Sequence, residues 1–173
     1  SRCISRNPWT AFKKWRFNKK QLKINRQLDK LIVASFYMKT CLIQNGFSPD
    51  RVKVIPYYTE PVNFDHVNFK NFVLFVGRIH VTKGLQHLLM ALKACPDELK
   101  LIVIGEGDYK SEIGKLISQN NLDHRIEFLG WLSQQRLHEF YLNCLALVVP
   151  SLWPEPFGIV GIEAMSYRKP VIA

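Results

Sequence analysis

Apolar positions fall along this chain in two rhythms, and the order in which they alternate predicts the fold. Short apolar-rich runs stand at 31–34, 51–55, 71–76, 100–104, 125–129 and 145–149, and 171–173 opens another. Their length and composition are those of buried strands. Between them lie segments whose apolar residues recur three and four apart, the period of a helix packed on one face. These are 35–45, a helix entered at Lys83-Gly84 that carries Leu85, Leu88, Leu89 and Leu92, then 109–120, 134–143 and 158–167. Ser35 and Ser133 are suited to cap helix N-termini, Gly46 to end a helix and Pro56 to end a strand. From residue 71 onward four strands alternate with helices, each crossover long enough to join a parallel pair. The expectation is an α/β fold with a Rossmann-like doubly wound parallel sheet. Ahead of it, 1–56 should be the end of another domain, with a short βαβ piece at its close. Residues 57–70, with Pro61 and no periodicity, should link the two. The chain does not begin with Met and stops as a strand opens, so we expect a truncated part of a larger protein.

Ligands of such sheets sit beyond the carboxyl ends of the strands. Arg78, Glu106, Gly130-Trp131 and Glu155 all follow strands, so four loops should meet on one rim. The stretch from Pro150 to Glu163 is the densest in chemistry. Pro154 and Pro156 keep the backbone around Glu155 out of helix, and Gly158 opens a helix through Tyr167. The free amides at Gly158, Ile159 and Val160 make an anion site. Glu163 is the only charged residue between Pro156 and Tyr167, on a helix apolar almost all round. A buried, unpaired carboxylate is costly, so Glu163 should have dedicated hydrogen-bond donors. A loop carboxylate, a helix N-terminus and a carboxylate within the helix suit a ligand carrying both phosphate and hydroxyls. Arg78 and Lys83, at the start of another helix, can neutralise a diphosphate; the bland alternative is a pair of solvated surface cations.

The spacing Glu155-x7-Glu163, inside Pro-Ser-x-x-x-Glu-Pro-Phe-Gly and followed by Glu-Ala-Met, closely resembles the signature of retaining GT-B glycosyltransferases, family 4 or glycosyl transferases group 1. The resemblance spans residues 31–173 and is most specific over 72–84 and 145–173. It implies that 71–173 is the C-terminal nucleotide-sugar-binding domain of a GT-B fold. The implied reaction moves a sugar from a nucleotide donor to an acceptor hydroxyl with retention at the anomeric carbon. Arg78 and Lys83 would stabilise the leaving diphosphate and Glu155 would touch the sugar hydroxyls, these three forming the catalytic set. Glu163 would bind the ribose, and the amides of Phe157, Gly158 and Ile159 would approach sugar and phosphate. Gly77, Gly105 and Gly107 would line the cleft near the donor, with Gly105 and Gly107 allowing close backbone approach. The loop Gly130-Trp131-Leu132 would meet the nucleobase, although Trp131 equally fits an interior or lid aromatic. Glu106 fits a solvated turn residue better than a ligand, and Trp153 either faces the acceptor or packs. No metal or other cofactor is implied. The acceptor, a glycan, lipid-linked or small molecule, would be held mostly by the N-terminal domain. Two alternatives remain: another GT-B enzyme such as a sugar-nucleotide epimerase, and a non-catalytic nucleotide-sugar-binding module. One departure is local. Arg168 stands where the family pattern has a glycine with positive φ, so the end of that helix should be reshaped.

Composition changes the picture at one place. The net charge is +10, but residues 1–30 hold ten Lys and Arg against Asp29 alone, so that segment carries +9 and the remaining 143 residues +1. Residues 10–30 contain no Gly or Pro and read as a basic helix edged by Trp9, Phe12, Trp15 and Phe17. It is an ordinary solvated helix, a contact for anionic lipid, or a nucleic-acid contact. The last has no accompanying module, and no nucleic-acid partner is expected. The four cysteines lack Cys-x-x-Cys spacing and read as reduced thiols of a cytoplasmic protein, peripheral at the inner membrane face if the helix meets lipid. The five histidines have no metal-binding spacing, and His80 reads as a surface residue. No Gly-x-Ser-x-Gly elbow supports a serine hydrolase. Gly105-Glu106-Gly107-Asp108 lacks the third glycine of a dinucleotide fingerprint.

Overall fold

The computed structural model describes residues 7–63 and 69–173; Arg2, Cys3, Arg6 and His66 lie outside the described residues. The chain divides into two compact units, Ser1–Tyr57 and Tyr58–Ala173. In the first, helix α1 (Pro8–Asn25) precedes strand β1 (Leu31–Val33), helix α2 (Phe36–Gln44) and strand β2 (Val52–Val54). The two strands pair in parallel, Leu31 opposite Val52, which makes this a βαβ unit. Its small core is Val33, Phe47 and Val52, with Leu22, Leu31, Met38 and Leu42 packed against it. Ser35 caps α2 as expected, accepting from the Met38 amide at 3.2 Å. Helix α1 ends five residues short of the predicted Lys30. Arg51 explains part of this, since its guanidinium takes the carbonyls of Arg26 and Leu28 at 3.3 and 3.5 Å, and Arg26 donates in turn to the Asn45 carbonyl.

The second unit runs β3 (Phe72–Val76), α3 (Leu85–Lys93), β4 (Lys100–Ile104), α4 (Lys110–Gln119), β5 (Ile126–Gly130), α5 (Gln134–Asn143), β6 (Ala146–Val148), α6 (Ile159–Ser166) and β7 (Val171–Ile172). The strands form one parallel sheet in the order β5-β4-β3-β6-β7. Alternation within the strands divides the core in two. Val73, Phe75, Leu101 and Val103 face one way onto Leu85, Leu89 and Ile113 of α3 and α4. Phe72, Leu74, Ile102 and Ile104 face the other, onto Leu137, Tyr141 and Ala164 of α5 and α6. A strand buried on both faces needs apolar residues throughout, which is why these runs show no polar alternation.

Three local expectations are corrected. Arg125 is not the first residue of a strand but ends a 3₁₀ turn, Asp123–Arg125, where it is 2% exposed. It donates to the carbonyls of Leu99 at 3.1 Å, Pro96 at 2.6 Å and Cys95 at 3.3 Å, and so supports the loop before β4. Ser133 holds the N-cap position of α5 without a side-chain capping bond. Helix α6 is apolar almost all round, yet part of that surface meets solvent, since Ile159 and Met165 are exposed. Its end is not reshaped. Arg168 takes φ 57°, its amide bonds Met165 O at 2.9 Å and the Lys169 amide bonds Ala164 O at 3.0 Å. These are the paired bonds of a Schellman motif, so packing imposes on Arg168 the geometry that glycine adopts without strain.

Candidate active site

Strands β3 and β6 are neighbours, yet the chain leaves β3 toward β4 on one side and β6 toward β7 on the other. The crevice between their carboxyl ends is the topological switch point of the sheet, where ligands of such folds bind. Two loops wall it, 77–84 after β3 and 149–158 after β6, and they are bonded together. The amides of Leu152 and Trp153 both donate to Thr82 O, at 2.9 and 3.3 Å. Gly84 lies against Pro150, so close that a Cβ there would stand 1.7 Å from the Pro150 carbonyl oxygen. His80 shapes the same loop. It is half-buried rather than on the surface, and its Nδ1 accepts from the Thr82 amide at 3.3 Å, capping the 3₁₀ turn Val81–Lys83.

This seam brings Lys83 and Glu155, 72 residues apart in sequence, into an ion pair between Lys83 Nζ and Glu155 Oε1. Ser151 Oγ donates to the same oxygen at 2.6 Å. Partial burial acts to raise the pKa of Glu155, but the hydrogen bonds from Lys83 and Ser151, with the lysine charge, outweigh it and hold the carboxyl below its ordinary range. Glu155, Ser151, Trp153, Phe157 and Gly158 line a cleft of 360 Å³. Arg78 lies on a larger one of 660 Å³, with Gly77, Gly105, Glu106 and Trp131. Trp131 is 79% exposed, which removes its interior reading. Trp153 is likewise exposed. Glu106 pairs in solvent with Lys110 at 3.1 Å, as a turn residue does.

Gly105 and Gly107 do permit a close approach, and the partner in the structure is the neighbouring loop. A Cβ on either would stand 2.0 Å from a carbonyl oxygen, of Gly77 and Ile79 respectively. Glu163 is half-buried rather than buried, and of the donors expected for it the described residues supply one, the Tyr141 hydroxyl 2.9 Å from Oε2. Ser151, His80 and Tyr141 were given no role by the sequence. Ser151 stood inside the quoted motif, and a hydroxyl four residues before a loop carboxylate was a usable signal. Tyr141 gave none, because it falls at the apolar spacing of α5.

The model of the glycosyl transferases group 1 family matches residues 60–173. An uncharacterized glycosyltransferase of Methanocaldococcus jannaschii is 31% identical over 140 residues, covering 78% of this chain and 36% of that protein. The O-antigen chain mannosyltransferase of Salmonella typhimurium is 28% identical over 155 residues, 87% of this chain and 44% of its own length. Among solved structures, Anabaena HepE in complex with UDP and glucose superposes with a TM-score of 0.80 at 27% identity, covering 92% of this chain and 49% of the other. The chain thus spans less than half the length of these proteins. It belongs to the glycosyl transferases group 1 family, and its parallel α/β sheet is that of GT-B glycosyltransferases.

Proposed function

We propose that this chain carries the donor site of a glycosyltransferase that moves a sugar from a nucleotide-sugar to an acceptor hydroxyl with retention of configuration. The observation that supports it is the seam at the switch point, which joins Lys83, Glu155 and Ser151 beside the N-terminus of α6. Lys83 and Arg78 meet the diphosphate, and with Glu155 they form the catalytic set. The free amides at the start of α6 meet the sugar phosphate, Glu155 the sugar hydroxyls, Glu163 the ribose and the Trp131 loop the base. Two cations preorganised at the leaving group stabilise the charge that grows as the glycosidic bond breaks, and in this reading no metal is called for. The bound UDP of the HepE structure is consistent with a nucleotide-sugar donor. The acceptor, a glycan, lipid-linked or small molecule, is assigned to an N-terminal domain, so the 173-residue chain binds nucleotide without turnover.

The test is calorimetry with uridine, guanosine and adenosine diphosphates. Charge-assisted hydrogen bonds contribute about 1.5–3 kcal/mol each. Arg78→Ala or Lys83→Ala is therefore expected to weaken diphosphate binding roughly ten- to a hundredfold while nucleoside binding changes little. Arg78→Lys should recover part of the loss, since a point charge lacks the two-pronged geometry. Wild-type affinity in both alanine variants would remove the donor site from this rim.

A second reading concerns α1. Trp9, Phe12 and Trp15 stack in an exposed ladder, with Lys13 over Trp9 and Lys19 over Trp15. Exposed aromatics interleaved with cations are suited to anionic lipid, and we propose that this helix contacts a membrane surface. No helix among the described residues is long and apolar enough to cross one.

A further inference from the structure

Tyr141 is 1% exposed, yet its hydroxyl is not left without a partner: it meets Glu163 Oε2 at 2.9 Å. Burial and the adjacent carboxylate push the phenol pKa far up, so the group stays protonated and is the donor of that bond. Its position is set from two sides. The ring lies on α5 one turn after Leu137, which lines the larger cleft. It also stacks on Tyr167, centroids 5.1 Å apart and planes 16° from parallel. The Tyr167 hydroxyl is itself placed 3.0 Å from His138 Nδ1. Glu163 stands on α6 two residues after Gly161, which lines the smaller cleft. Among the described residues Tyr141 is the one side-chain partner of that carboxylate, and Oε1 takes no hydrogen bond.

A glutamate's last torsion is broad, so a carboxylate with no fixed partner presents its oxygens in many orientations. A buried donor on one oxygen removes that freedom. We propose that Tyr141 is a positioning residue: it fixes the plane of Glu163 so that Oε1 accepts from a ribose hydroxyl, and it thereby makes the site select ribonucleotides over deoxyribonucleotides. The inference rests on the donor-site reading above. It assigns Tyr141 no contact with the ligand. The hydroxyl acts through Glu163, while Tyr167 and His138 hold the ring that carries it.

The probe is whichever of uridine, guanosine and adenosine diphosphates the unaltered chain binds most tightly, set against its 2′,3′-dideoxy counterpart. Tyr141→Phe keeps the ring and removes one oxygen. It is expected to weaken ribonucleotide binding about tenfold and to leave the dideoxy affinity within about twofold, the scale of one hydrogen bond to a charged group. Glu163→Gln should show the same selectivity, and the double variant should be no weaker than Glu163→Gln alone. A purely structural tyrosine would lower both affinities together, and an idle one would lower neither; either result overturns the proposal. If Glu163→Gln selects against the ribonucleotide and Tyr141→Phe does not, the proposal fails and the donor site stands. If the unaltered chain binds none of the three diphosphates, both fall.

Discussion

Lys169 shows how one residue can carry charge into a place that gives it little return. It is 3% exposed, and among the described residues its Nζ makes no hydrogen bond and lies over the face of Phe69, 4.1 Å from the ring centroid. Burial lowers its pKa from the ordinary lysine value, against a smaller opposing effect of the Cys144 thiol. The sign follows from linkage. The folded state disfavours the charged form, so the cost is full below the folded pKa and fades as pH rises through it toward the unfolded value. Lys169→Met keeps the chain length and removes the charge. It should therefore stabilise the fold by about 1 kcal/mol at neutral pH, less the lost cation–π contact, and the gain should shrink in alkaline buffer. Thermal unfolding against pH measures this; a variant less stable than the parent at neutral pH would show that the Phe69 contact outweighs desolvation. Glu155 has the opposite sign. Its depressed pKa makes the ion pair with Lys83 a stabilising term above the ordinary carboxylate value, lost as pH falls through the folded one. Both side chains keep some exposure, 33% and 23%, so that term is small.

The elements of the second unit were legible because each obeys one local rule. Five-residue apolar runs became β3 and β4, and Leu85, Leu88, Leu89 and Leu92 became the buried stripe of α3. The rim was legible as well, since Arg78, Trp131 and Glu155 all follow strands. What joins the rim was not. The approach of Gly84 to Pro150 depends on how β3 and β6 pair, which no local pattern encodes. That contact gives a sharp prediction. Gly84 has φ 72°, and a Cβ there would stand 1.7 Å from a backbone oxygen that cannot step aside. Gly84→Ala should separate the two loops, cost roughly 2 kcal/mol or more and abolish measurable nucleoside diphosphate binding. Gly114→Ala is the control. Gly114 lies in α4 with nothing within 4 Å of the added carbon, so the change should stabilise by up to about 1 kcal/mol and leave binding unchanged. Chemical denaturation with calorimetry on both variants checks the pair, and equal effects would mean that the seam does not hold the site. Arg125 and Tyr141 were hidden for a related reason. Each looks ordinary in its own segment, one as a strand-edge cation and the other as a helix-face aromatic, and each takes its partner from more than twenty residues away.

Charge separates the two ends of the chain more sharply than fold does. Residues 1–30 carry +9 of the net +10, and the helix that holds most of it, α1, has no buried residue. Lys13, Lys14, Lys19 and Lys20 stand among the exposed rings of Trp9, Phe12, Trp15 and Phe17. An anionic surface would gain from both, the cations by attraction to headgroups and the rings by seating at the interface. Each lysine near such a surface contributes about 1 kcal/mol. Neutralising all four to Gln should therefore reduce binding to phosphatidylserine vesicles by several hundredfold or more, while Trp15→Ala should weaken it without changing its salt dependence. Raising salt from about 0.05 to 0.5 M should imitate the four substitutions, because exposed charges are screened beyond a Debye length. Phosphatidylcholine vesicles should bind weakly at any salt. Sedimentation that is the same for parent and variant, or the same for charged and neutral vesicles, would leave α1 an ordinary solvated helix without bearing on the donor site proposed at the switch point.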